Sequence, residues 1–211
     1  MAITTYSELQ TAISTWTGDT FTSAQAQEII ALVEARFNRL LRTQEMETRS
    51  TATASGEYLV LPDDFLEQRS IEIGGDKRLE YVTPSQMSQY ATETGEPTYY
   101  TVTDGQFRFW PVPTSNYSIE VVYYKKIPAL TASNTSNWVL EAHPDLYLSA
   151  CLALAEVFGW NDGRAAGFKA SEAEIMQEIK KQEMNRRVGS SPLKMRTGIT
   201  YDRLGVTNGY N

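Results

Sequence analysis

His143 and Cys151 are the only histidine and the only cysteine in the chain, and nucleophilic catalysis would have to begin with them. Such a pair shares a proton at about 3 Å. Pro144 and the apolar run behind it predict a helix, and eight residues along a helix is about 12 Å. The two side chains therefore cannot meet on an unbroken helix. Cys151 stands among Ala and Leu, which makes it a small core residue, and His143 belongs to the start of the helix. Two acid pairs remain, Asp63 with Asp64 and Glu172 with Glu174. Neighbours in a turn, or residues two apart on a helix, do not converge on a substrate. Asp63 and Asp64 stand between Pro62 and Phe65, where an acid caps a short helix. A zinc site would have one His, one Cys and carboxylates to draw on, a poor ligand set. Gly74-Gly75 lacks the Gly-Lys-Ser/Thr of a phosphate-binding loop, and neither G-x-S-x-G nor H-E-x-x-H occurs. The expectation is a protein that is not an enzyme, with no catalytic or metal-binding residue and no cofactor.

Aromatic residues are the next candidates. Tyr99, Tyr100, Phe107, Phe109, Trp110, Tyr117, Tyr123 and Tyr124 fall on predicted strands near Arg108, Lys125 and Lys126. Such strands can stack bases of an oligonucleotide. More often they form a core or a subunit interface, and that is the reading taken.

The elements that must position these groups change character along the chain. Residues 4–16 predict a helix capped by Thr5 or Ser7, with Leu9, Ile13 and Trp16 on one face. A second helix over 22–43 opens on a Thr22/Gln25 capping box. Ile29, Ile30, Val33, Phe37, Leu40 and Leu41 form its apolar stripe; Glu28, Glu34, Arg36, Arg39 and Arg42 form its polar face. Residues 46–130 predict a β-rich insert of about six or seven short strands, by pattern alone. Its signals are RSTATAS, a short buried strand YLVLP, a hairpin about Gly74-Gly75-Asp76, and a second hairpin about Asp104-Gly105. Pro84 opens a brief helix. In YSIEVVYYKK, Ile119, Val121 and Tyr123 face one way and Glu120, Val122 and Tyr124 the other. After the polar loop 131–137, a helix over 143–160 is apolar nearly all round, so it should be central and buried. A charged helix over 164–187 follows, with Phe168, Ile175 and Ile179 on one face. The fold class expected is α+β: a helical bundle from both ends of the chain, a β-rich insert and an extended C-terminal arm. Residues 1–187 form the domain and 188–211 the arm.

The chain has 211 residues and a net charge of −7. From Arg186 onward there are five basic residues against one acid, +4, so the rest carries −11. An acidic body suits a channel through which DNA slides, because like charge discourages sticking; ordinary solubility charge is the plainer reading. No run approaches the roughly 18 apolar residues of a membrane span. The first ten residues lack the basic and apolar regions of a secretory signal, so the protein is expected to be made and kept in the cytosol at first. The arm has no helical or strand period, yet keeps Leu193, Met195, Ile199, Tyr201, Leu204, Val206 and Tyr210. Spaced apolar anchors fit a segment that orders on a partner.

Three stretches give these elements a family likeness. YYTVTDGQFRFWPVPTSNYSIEVVYYKKIPALT is similar to the hairpin of tailed-bacteriophage head-tail adaptor (connector) proteins, with its P-x-P turn, Tyr-rich strand and Pro-x-Leu-Thr exit. NWVLEAHPDLYLSACLALAEVFGWND resembles their loop leading through Pro-Asp-Leu into a long buried helix. The charged helix with a loose arm resembles their ending. The resemblance, which covers nearly the whole chain, implies a virion protein of the portal-docking type found in short-tailed phages. The portal protein, neighbouring copies in a ring of twelve, and tail or nozzle proteins would be its partners. Packaged DNA would pass through the lumen, and no membrane is involved. The docking contacts expected are Arg186, Arg187, Lys194, Arg196, Tyr201, Arg203 and Leu204, although Arg186 and Arg187 would also complement a helix dipole. Three other readings compete. One is a different head-completion or tail-tube component. Another is a nucleic-acid-binding module using Lys125, Lys126 and the arm's arginines. The last is a hydrolase using Asp63 or Glu172.

Overall fold

Three helices begin with the same reciprocal cap. Thr5, Thr22 and Thr83 each accept the N–H of the residue three places on, and Glu8, Gln25 and Gln86 accept the threonine's N–H in return. The computed structural model describes residues 3–159 and 162–188. Among these, α1 is Tyr6–Thr17, α2 Ser23–Leu40, α3 Pro84–Met87, α4 Trp138–Ala142, α5 Pro144–Phe158 and α6 Asp162–Val188. The strands are β1 Glu47–Ala54, β2 Tyr58–Val60, β3 Phe65–Ile73, β4 Lys77–Arg78, β5 Glu80–Tyr81, β6 Tyr99–Thr103, β7 Gln106–Trp110 and β8 Tyr117–Lys125. The architecture is α+β with a β-rich middle, as the sequence predicts. The arm lies outside the described residues.

Helix α5 is the hub of the bundle and packs on α1, α2, α4 and α6. Leu146, Tyr147, Ala150, Cys151 and Ala155 are buried in one core with Leu9 and Ile13 of α1 and Ile30, Val33 and Phe37 of α2. Phe37 meets Tyr147 edge-on, with centroids 5.1 Å apart. Burial pushes the Cys151 thiol far up, and the fields of Glu34 and Glu172 add to it, so the thiolate a nucleophile needs is suppressed.

The insert is two four-stranded sheets, ordered β1-β8-β3-β4 and β2-β7-β6-β5. They share a second core of Ile71, Ile73, Ile119, Val121 and Tyr123 from the first sheet and Tyr100, Phe107 and Phe109 from the other. Both predicted hairpins form. Asp104 and Gly105 take φ of 50° and 69° between Thr103 and Gln106, the left-handed pair that matches strand twist. Gly74 and Gly75 take φ of 65° and 88° between Ile73 and Lys77. Strand alternation then divides β8: Tyr123 enters the β core and Tyr124 the bundle core.

Several expectations are corrected. There are eight strands among the described residues rather than six or seven, because two-residue strands leave no periodicity. YLVLP yields only the edge strand β2, whose Tyr58 and Val60 are exposed. Asp63 and Asp64 cap no helix; they form a turn into β3, and Asp64 Oδ1 accepts the Tyr123 hydroxyl at 2.9 Å. Trp16 and Leu40, placed on apolar stripes, are 55% and 42% exposed. Helix α2 stops at Leu40 because Leu41 is already extended. Helix α5 ends at Phe158, and α6 starts two residues earlier than expected, at Asp162. The segment before α5 is a helix of its own, α4, capped by Asn137.

Glu34, read as polar face, is buried. Its Oε1 accepts the Leu130 N–H at 2.8 Å and the Tyr147 hydroxyl at 3.1 Å, and Asn137 Nδ2 donates to that hydroxyl oxygen at 2.8 Å. Burial raises the Glu34 carboxyl pKa above its ordinary 4.5, and these two bonds pull against the rise. An acid whose folded pKa is raised costs stability as pH climbs through that pKa, and costs nothing below the unfolded value. Glu34→Gln keeps the acceptor and removes the charge. It is expected to match or exceed the parent in Tm at neutral pH and to flatten the fall in Tm above about pH 4.5. Glu34→Leu strands two buried donors and should cost about 1–3 kcal/mol in urea titrations.

Candidate docking surface

Helix α6 is the last described element, and its inner face fixes where its C-terminal end sits. Ala165, Glu172, Met176, Ile179 and Glu183 recur at helical spacing and are buried. Phe168 and Ile175, expected on this face, are half-buried at its margin. The buried acids are matched one by one. Arg36 Nη1 meets Glu172 Oε2 at 2.9 Å, and Glu156 of α5 meets Arg164 at 3.0 Å. Glu183 Oε2 accepts the Gln44 N–H at 2.9 Å, tying the last turns of α6 to the threshold of the insert.

Arg186 and Arg187 lie together on that threshold. Arg186 Nη1 donates to Glu45 Oε1 at 2.6 Å and to Glu183 Oε1 at 3.0 Å. Burial alone would push the Glu45 carboxyl up, but bonds from its own backbone N–H and from Arg186 hold it below the usual range. Hydrogen bonding to Glu45 likewise raises Arg186. Arg187 Nη2 donates to the Arg42 carbonyl at 2.9 Å and to the Tyr124 hydroxyl at 2.6 Å. The guanidinium carbons of Arg42, Arg69 and Arg187 stand 5.9, 5.8 and 5.9 Å from the Tyr124 ring centre. That is the outer limit for a cation over a ring, so the short bond to the hydroxyl dominates. Arg42 also meets Glu67 at 2.8 Å, and Arg69 bonds Glu47.

Four arginines (42, 69, 186 and 187) thus interleave with four glutamates (45, 47, 67 and 183), and the joint is neutral. A phosphate would find no surplus charge there. Two small cavities flank it. One of about 290 Å³ is lined by Leu40, Ile179, Met184 and Arg187; the other, of about 160 Å³, by Glu47, Arg69, Arg186 and Arg187. Of the docking residues expected from sequence, Arg186 and Arg187 are brought together here; Lys194, Arg196, Tyr201, Arg203 and Leu204 lie outside the described residues. Arg69 and Glu183 were not singled out, and Tyr124 was named only among the strand aromatics. The signal for Tyr124 was already present in strand alternation, which put it on the face opposite Tyr123.

The catalytic and nucleic-acid candidates disperse. Cys151 is in the core, while His143 joins α4 to α5 and caps both. Among the described residues no group of three or more His, Cys, Asp or Glu could hold a metal ion, and no helix is long and apolar enough to cross a membrane. Phe107, Phe109, Tyr100, Tyr123 and Tyr124 are buried. Arg108 of β7 is held by Glu57 at 2.6 Å, and Lys126 Nζ donates to the Asp63 carbonyl at 2.8 Å.

The family model described as SU10 adaptor protein matches residues 4–196. The chain belongs to the SU10 adaptor protein family. That makes it a phage adaptor and a virion component, in a structural class rather than an enzyme class. The match runs through the bundle, the insert, the Arg–Glu joint and the first residues past Val188. No curated protein matches the chain.

Tyr124→Phe removes the acceptor of Arg187 and keeps the ring. Unfolding free energy is expected to drop by about 0.5–1.5 kcal/mol. Amide exchange in the last turn of α6 should accelerate while exchange in α5 does not change. Equal acceleration in both helices would show that the joint does not act locally.

Proposed function

We propose that this adaptor assembles as a ring of twelve beneath the portal, extends the DNA channel and presents the surface to which tail or nozzle proteins attach. The observation that carries the reading is the family match, which spans the folded body and continues to residue 196 of the arm. The joint around Tyr124 supports it, because a firmly seated helix end gives the arm a fixed point of departure. The charge distribution supports it too. The body is acidic, Arg42, Arg69 and Arg186 at the joint are paired with glutamates, and the chain beyond Val188 is basic. DNA passing an acidic wall is repelled rather than held.

In this reading the arm is the docking element. Arg186 and Arg187 hold its root, and Lys194, Arg196, Tyr201, Arg203 and Leu204 contact the portal or the next subunit. Before docking, the subunit waits in the host cytoplasm. A ring closes by repeating one modest heterologous contact, so each interface can be weak when the assembly is not.

The test is the mass of the complex formed with the portal ring of the same phage, measured with the full chain and with residues 189–211 removed. The expected result is a defined multiple of subunits per portal for the full chain and none for the shortened one. The shortened chain must retain the parent's circular dichroism and Tm. Binding by neither form to a portal shown to be competent would overturn the reading.

A further inference from the structure

A further cavity lies far from the joint, at the opposite end of the bundle. It has about 470 Å³ and lies where the α1–α2 turn, the first turns of α2 and the end of α5 converge. Phe21, Ile29 and Phe158 give it an apolar lining; Asp19 and Glu28 give it two carboxylates. Phe158 is 61% exposed, so its ring borders the cavity uncovered by the rest of the described chain. Asp19 and Glu28 are exposed and form no salt bridge among the described residues, although most acids of the bundle's inner faces do. Asp19 Oδ2 lies beside Gly159, where the carbonyl end of α5 adds partial negative charge. The site therefore suits a short segment that alternates apolar and cationic side chains.

The chain contains one such segment beyond its described residues. Leu193-Lys194-Met195-Arg196 alternates apolar and basic groups and has no acid. The arm's other apolar–basic stretch, Tyr201-Asp202-Arg203-Leu204, carries an aspartate that Asp19 and Glu28 would repel. Charge thus selects residues 193–196.

Reach then selects which copy supplies them. Arg164, in the first turn of α6, donates to the carbonyls of Trp16 and Thr17, so α6 starts beside the cavity. It runs 27 residues away, about 39 Å at 1.5 Å per residue. Leu193 is five residues past Val188 and reaches back at most about 18 Å even when fully extended. A chain cannot seat its own Leu193 in its own cavity.

We infer that this cavity receives Leu193–Arg196 of a second copy, the cations meeting Asp19 and Glu28 and the apolar groups covering Phe158 and Ile29. The inference rests on the chain being a ring subunit, and names the contact that links one subunit to the next. It leaves residues 201–204 for the portal.

Disulfide trapping between two full-length variants tests it. One carries Thr20→Cys at the cavity rim and the other Met195→Cys; Cys151 is buried and stays silent. Mild oxidation of the mixture, free and bound to portal, should give a linked heterodimer. Adding Asp19→Lys and Glu28→Lys to the first chain should lower the yield about tenfold, since reversing two exposed pairs compounds two small effects. Adding Lys194→Glu and Arg196→Glu to the second should restore it, which also shows that the reversed cavity is folded. Yields indifferent to charge reversal overturn the inference. So does a cross-link that forms only within a single chain carrying both cysteines. Complex mass is read on the same samples. A defined portal complex without the cross-link overturns this contact alone. The cross-link without any portal complex overturns the portal reading alone, and neither result overturns both.

Discussion

One buried carboxylate holds the two halves of the molecule in register. After β8 the chain must return from the insert to the bundle, and its backbone donors leave the sheet with no partner strand. Helix α2 supplies the acceptors. Asn38 Oδ1 takes the Ile127 N–H at 2.8 Å, and one helical turn back Glu34 Oε1 takes the Leu130 N–H at 2.8 Å. Asn137 Nδ2 closes the set by donating to the Pro128 carbonyl and the Tyr147 hydroxyl, both at 2.8 Å. Burying a carboxylate without a cation is costly. Here the acid replaces the missing strand, and leaving the Leu130 donor unmade in the core would carry a comparable cost. The polar row of α2 thus fixes the insert, and its apolar row fixes α5.

The second joint depends on the first. Tyr124 enters the bundle core only because β8 is held in register, and Tyr124 is where Arg187 ends its reach. Glu183 and Arg186 then fasten α6 to the 3-10 turn Gln44–Met46, just ahead of β1. The end of α6 is therefore positioned by groups more than 60 residues away in sequence, and depends on the placement of the insert as much as on α6 itself.

This explains what was legible in the sequence. Threonine caps, the Asp104-Gly105 turn and the all-round apolar α5 are local signals, read within a few residues of where they act. Asp64 was read as a helix cap because its partner Tyr123 is 59 residues away. Glu34 and Glu183 were misread or passed over for one reason. A charged residue looks solvated until its partner is known, and the Glu34–Leu130 bond spans 96 residues. Trp16, Leu40 and Phe158 show the opposite limit. Their apolar character was legible, but periodicity cannot tell a residue covered by its own chain from one left open. The expected docking residues divide in the same way: a basic helix end was visible, and the pairing of Arg186 with Glu45 and Glu183 was not.

That pairing changes what the charge asymmetry means. Of the +4 from Arg186 onward, Arg186 is ion-paired with Glu45 and Glu183, and Arg187 is engaged by the Arg42 carbonyl and the Tyr124 hydroxyl. The free excess is the +2 left by Lys194, Arg196 and Arg203 against Asp202. A surplus so small cannot anchor a protein to DNA, where affinity grows with the number of phosphates neutralised. It is enough to bias a repeated contact between an acidic body and a basic arm, because screening at physiological salt confines the attraction to about 8 Å. Such a contact is weak in a pair of subunits and adds up around a closed ring. The electrostatics of this chain therefore favour protein–protein assembly over a grip on DNA.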